Sequence, residues 1–195
     1  MFKSCVYFIV LLLFFSGCAT KVISPELIIS SENQRGDFYG SNSWKKTLEK
    51  YVDVKGRTAF KNLASDYVDL LFYLDYIAKT SPKLKPQSFP DKNHKLAFYI
   101  NSYNALAMYG IVYHKIPKDF NRFIDRVRFF KFTEYNIEGM HISLYDYENK
   151  VIRPVGDPRV HFALNCMVVD CPRLPDTPFV PDLLDSQLNE ASVEF

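Results

Sequence analysis

The chain has 195 residues, 24 Lys and Arg against 22 Asp and Glu, and a formal net charge of +2. That near balance gives no support to nucleic-acid binding, which calls for a basic excess or stripe. Phe and Tyr are abundant, at 17 and 13 residues, and large aromatic side chains serve packing first.

The first residues have the pattern of an export signal. Lys3 precedes an apolar run from Cys5 to Phe15, and small residues follow in Ser16-Gly17-Cys18. The run is too short for a membrane helix. Small residues directly before a cysteine resemble a bacterial lipoprotein processing box, with Cys18 as the lipidated first residue of the mature chain. Ala19 stands where an aspartate would signal inner-membrane retention, so the resemblance implies an outer-membrane lipoprotein facing the periplasm. The expected layout is a signal peptide at 1–17, a lipidated N-terminus and tether at 18–42, and one folded domain at 43–195. Losing 17 of 195 residues leaves 178, enough for a single domain with a substantial core.

Along that domain, Trp44, Leu48 and Tyr51 give one apolar face to a helix capped by Asn42 or Ser43, and Gly56 permits a turn. An amphipathic helix is predicted over Phe60–Lys79, with Leu63, Tyr67, Leu71, Leu74 and Ala78 as its stripe, ending at Ser81-Pro82. Asp91 is placed to cap a helix through Leu96–Val112, whose apolar side chains fall on nearly every side. Asn101 and Asn104 interrupt that run, share a face, and need partners when buried. Their expected role is to anchor the Asp157–Cys166 segment, with a pocket where the two meet.

Beyond it, Phe129–Phe132 and Ile137–Ile142 read as two short strands of a hairpin, and Ser143 with Asp146 as a cap before a short helix over Glu148–Ile152. Val160–Val169 reads as an apolar element, and Pro181 opens a last helix. The predicted architecture is α+β: one helix-dominated domain with a buried central helix and a small antiparallel sheet.

From Trp44 to Phe195 the chain resembles the DUF547 family of domains of unknown function. The landmarks are Leu96-Ala97-Phe98-Tyr99-Ile100-Asn101-Ser102-Tyr103-Asn104-Ala105, then Ser143-Leu144, Glu148 and Ile152-Arg153. They continue as Asp157-Pro158-Arg159-Val160-His161-Phe162-Ala163-Leu164-Asn165-Cys166 and Cys171-Pro172-Arg173-Leu174. Asn149 stands where the family often has histidine, which weakens a mechanism needing that imidazole. The family domain typically runs further, so the resemblance implies a truncation at Phe195; if the missing part covers the Leu183–Leu188 face, a rearrangement, a partner or an oligomer is expected to take its place.

Two chemistries compete. In one, Cys166 is a nucleophile with His161 as base and Asp157, Glu148 or Asp170 orienting the imidazole, making the protein a cysteine hydrolase or transferase. Five residues apart, the pair does not by itself form a dyad, so a bend is required, or an imidazole from His94, His114 or His141. In the other, Cys166 and Cys171 form a disulfide, in a compartment that permits one, and the protein is a binding or envelope-associated module. Glu148, Arg153, Asp157 and Arg159 then form an ion-pair network, and Asn101, Asn104, Glu148, Arg153, Arg159 and Asn165 surround a pocket. The module is preferred, its partner an unidentified ligand or envelope protein. Zinc-type spacing, a phosphate-cradling glycine loop and a dinucleotide fingerprint are all missing from the sequence, so neither metal nor cofactor is expected.

Overall fold

The computed structural model describes residues 21–23, 37–118, 122–137, 139–168 and 171–195. The export signal, Cys18, Val169 and Asp170 lie outside them.

The elements are β1 (Lys21–Ile23), α1 (Asp37–Tyr51), α2 (Phe60–Ser65), α3 (Val68–Lys79), α4 (Lys92–Tyr113), α5 (Phe123–Lys131), β2 (Thr133–Ile137), β3 (Met140–Ser143), α6 (Leu144–Asp146) and α7 (Leu184–Glu194). Helices dominate a single α+β domain, as predicted. The core is packed around α4, in which every residue from Leu96 to Ile111 except Tyr99 is buried. Asp91 caps its N-terminus by accepting the His94 backbone N–H at 2.9 Å. The helix continues past Gly110 to Tyr113, because the Gly110 carbonyl still finds the His114 N–H at 2.9 Å.

Gly110 is required by packing. A Cβ there would collide with Tyr135 Oη and lie 2.8 Å from Phe129 Cε2. The close approach seats β2 and α5 directly on the α4 backbone. Trp44, Leu48, Leu63, Leu70, Leu74, Ile77, Ile100, Leu144 and Ile152 complete the core.

Several local expectations change. The helix predicted over Phe60–Lys79 is two helices, broken at Asp66 and Tyr67. Asp66 is extended there, its carbonyl accepting the Tyr51 hydroxyl and its carboxylate pairing with Lys50 at 2.7 Å. Contacts from α1 thus override the helical periodicity. The buried face of α3 is accordingly Leu70, Tyr73, Leu74 and Ile77, with Leu71 and Ala78 half-buried. Phe129 and Phe130 end α5 instead of opening a strand, and the hairpin runs between Thr133–Ile137 and Met140–Ser143. Ser143 Oγ accepts the Asp146 N–H at 3.1 Å, and the chain then passes through a π-helical turn at Tyr147–Ile152.

The antiparallel pair β2–β3 gains a third strand. β1 pairs in parallel with β2, Lys21 opposite Thr133, making a mixed sheet in the order β1-β2-β3. Residues 21–23 therefore belong to the folded body and not to the tether expected at 18–42, and α1 likewise begins at Asp37, upstream of Trp44. The apolar element expected at Val160–Val169 is not regular over its described residues, 160–168. Pro158–Phe162 is a 3-10 turn, followed by irregular chain through Val168. On α7, Leu184 and Leu188 are buried by the chain itself, whereas Leu183, just before it, is exposed.

Candidate functional site

The two buried asparagines of α4 each hold a loop. Asn104 Nδ2 donates to the Ala163 carbonyl at 2.9 Å, and Asn104 Oδ1 accepts the Asn165 N–H at 2.8 Å. Asn101 does the same for a different segment: it donates to the Phe179 carbonyl at 2.7 Å and accepts the Phe179 N–H at 3.0 Å. Trp44 Nε1 also donates to Asn101 Oδ1, at 3.2 Å. A primary amide matches a peptide group in donor and acceptor, so each side chain replaces a strand partner for backbone that has none. The expectation that both asparagines serve the Asp157–Cys166 segment holds for Asn104 only.

Asn165 carries the anchorage onward. Its Nδ2 donates to the Pro172 carbonyl and its Oδ1 accepts the Met167 N–H, both at 2.6 Å. Between them, Cys166 and Cys171 form a disulfide, with Cα atoms 5.7 Å apart. In this form Cys166 carries no free thiolate to attack a carbonyl. The disulfide borders a cleft of about 250 Å³ whose wall includes Cys171, Phe60, Lys55, Arg57 and Arg173. Two of these cations are already engaged, Arg57 with Asp53 at 2.6 Å and Arg173 with Glu194 at 2.7 Å.

The remaining candidates form two ion-paired clusters. Arg153 Nη2 lies 2.5 Å from Glu148 Oε1 and 3.3 Å from His161 Nδ1. A guanidinium only donates, so His161 Nδ1 is the acceptor in this contact. Tyr103 lies within the field of this cluster. Burial, then the Glu148 charge, pushes its phenol well above the usual range, keeping it protonated. Asp157 belongs to the second cluster. It accepts from Arg159 Nη2 at 2.8 Å and from the Arg159 N–H at 3.0 Å, capping the Pro158–Phe162 turn. Arg159 reaches on to Asp185 at 2.8 Å and Asn189 at 2.6 Å, fastening α7 to that turn. The hydrogen bonds from Arg159 hold the Asp157 carboxyl below the usual carboxylate range. Its bonds thus go to Arg159, whereas His161 is held by Arg153.

A larger cleft opens on the Asn101 side. It has a volume of about 320 Å³ and is lined by Trp44, Tyr73, Tyr76, Phe89, Phe98 and Phe179, with Asn42, Lys45, Ser88, His94 and Asn101 as polar lining residues. Its rings are fixed against one another: Trp44 stacks on Tyr73 at 5.5 Å, Tyr73 on Tyr76 at 5.9 Å, and Phe89 meets Phe98 edge-on at 5.0 Å. His94 Nδ1 lies 2.8 Å from Asp91 Oδ1, which orients the imidazole at the rim. Sequence reasoning singled out Asn101 but missed this cleft. The available signal was Tyr73 and Tyr76 three apart on one helix, and Phe98 and Asn101 three apart on another. Nothing local shows that the two faces converge.

Among the described residues, no group of three or more His, Cys, Asp or Glu is arranged to hold a metal ion. No described helix is long and apolar enough to cross a membrane.

Fold and site together define a helix-dominated α+β domain whose central helix clamps a disulfide-closed loop on one side and an aromatic cleft on the other. Residues 86–195, more than half of the chain, match the family described as "Protein of unknown function, DUF547", and the chain belongs to that family. No curated protein and no solved structure matches it.

Proposed function

We propose that this protein is a periplasm-facing outer-membrane lipoprotein, anchored through Cys18, whose domain is a binding module for an amphipathic ligand. The observation that carries the binding reading is the 320 Å³ aromatic cleft. Preformed sites for small ligands have this character: apolar walls, rigid rings and a few polar groups that orient the guest. Tyr76, Pro178, Val180 and Pro181 are part-exposed along its walls and supply apolar contact area over a floor of buried rings, Trp44, Tyr73, Phe89 and Phe98, that packing already holds. Asn42, Lys45, Ser88 and His94 provide polar groups at the rim, so the fitting ligand has an apolar or ring-shaped body and a hydrogen-bonding or anionic group at one end. The Cys166–Cys171 disulfide supports binding over thiol catalysis for this form of the chain. The localisation rests on Ser16-Gly17-Cys18 and Ala19.

Trp44 is the sole tryptophan of the chain and lines the cleft, so its fluorescence reports occupancy directly. Titration with anilinonaphthalene sulfonate, an apolar ring system bearing one anionic group, should quench or shift Trp44 emission saturably. Tyr76→Ala, which widens the half-buried rim, should weaken the effect severalfold. Unchanged Trp44 emission while the dye binds elsewhere would refute the cleft as the ligand site. Anchoring is tested separately: cells fed labelled palmitate should label the parent protein and not Cys18→Ala, and an unlabelled parent would refute the lipid anchor.

A further inference from the structure

Helix α5 has a surface that the ligand cleft does not use. Around its axis, Phe123, Ile124 and Val127 form one apolar strip; Phe123 is 80% exposed and Ile124 39%. At 100° per residue, Arg126 falls on one flank of this strip and Arg128 on the other, with Lys131 one turn beyond Val127. All three cations are exposed, and Lys131 lies over the ring of half-exposed Tyr145 at 4.1 Å. The opposite side of the helix is set by Phe129, which is 2% exposed and packs against the core. Between residues 115 and 131 the sequence carries six Lys and Arg against two Asp, a local +4 in a chain of net +2. An exposed apolar strip with an arginine on each flank and a lysine at its end suits the boundary between acyl chains and anionic headgroups, and a soluble domain gains little from displaying it.

The connectivity of the chain brings this surface to a membrane. Lys21 pairs with Thr133, two residues after α5 ends, and β1 runs parallel to β2. The chain before Lys21 therefore enters from the α5 end of the sheet. Cys18 is three residues upstream of Lys21, and three residues reach at most about 11 Å. A lipid on Cys18 thus inserts close to α5, whose nine residues span about 13 Å.

We propose that α5 is a membrane-docking face, seating Phe123 and Ile124 at the acyl–headgroup boundary while Arg126, Arg128 and Lys131 contact anionic phospholipid. This rests on the lipoprotein reading, and it adds a defined orientation: the domain lies against the leaflet that holds its lipid and does not hang free on a tether.

The two readings are separated by testing docking without the lipid. The chain from residue 18 with Cys18→Ser retains every described residue and is sedimented with phosphatidylcholine vesicles with and without phosphatidylglycerol. Binding should require phosphatidylglycerol and fall as salt rises. Each cation at such a surface is worth about fivefold, so Arg126→Gln with Arg128→Gln should weaken binding by about thirtyfold. Phe123→Ser should weaken it severalfold, with the melting temperature of each variant unchanged because these side chains are exposed. No binding, equal binding to both vesicles, or variants that bind like the parent would overturn the proposal. A concentration-dependent dimer lost on Phe123→Ser, without vesicle binding, would also overturn it and assign the face to a second copy of the chain. Loss of lipid at Cys18 in cells, with vesicle binding intact, would overturn the anchor but not the docking face.

Discussion

Asn104 and Asn165 are 61 residues apart, yet the side-chain oxygen of the first accepts the backbone N–H of the second at 2.8 Å, inside a fully packed interior. This bond, with its companion to the Ala163 carbonyl, fixes the start of the disulfide loop to the central helix.

Asn104→Leu should therefore destabilise the protein by about 2–4 kcal/mol, since two buried backbone groups lose their partners at about 1–3 kcal/mol each with partial relaxation. Urea denaturation reads the change. A loss below about 1 kcal/mol would show that the Ala163–Asn165 backbone finds other partners.

Gly110→Ala should cost about 1–3 kcal/mol, because the new methyl collides with Tyr135 and Phe129. The Tyr135 hydroxyl is buried with no hydrogen-bond partner among the described residues, so Tyr135→Phe alone should be neutral or stabilising. Combining the two should recover part of the Gly110→Ala loss. A double-mutant cycle showing strict additivity would mean that the backbones separate instead.

Reducing the Cys166–Cys171 bond should lower stability by about 2 kcal/mol, the loop-closure entropy of so short a ring. Asn165 still brackets the loop through Pro172 and Met167, so the rest of the domain should stay folded. Thermal melts with and without reductant measure the shift. Loss of the whole transition on reduction would show that the bond holds more than its own loop.

Asp157 links stability to pH. Its folded-state carboxyl titrates below the ordinary value because Arg159 stabilises the charged form. A depressed folded value means that the contribution is full above the unfolded value, near pH 4, and is lost as pH falls through the folded one. The melting temperature of the parent should drop more steeply below about pH 4 than that of Asp157→Asn, which keeps an acceptor for the turn but cannot titrate. Parallel curves would assign the acid sensitivity to other groups.

The sequence by itself determined the central helix, its cap at Asp91 and the family. These depend on signals within one stretch: an unbroken apolar run, a capping residue three places before its N–H partner, and motif order. It also marked Asn101 and Asn104 as needing partners, because a buried amide must be satisfied wherever it occurs. Only the tertiary structure decided who those partners are. Asn101 pairs with Phe179, 78 residues away, and its aromatic cleft gathers rings from α1, α3, α4 and the chain before α7. The break at Asp66 comes from Tyr51 and Lys50 on α1, and the place of β1 comes from a free edge of β2. Each is a contact between segments far apart in the chain, set by shape and unpaired hydrogen-bonding groups. Neither leaves a local periodicity to read.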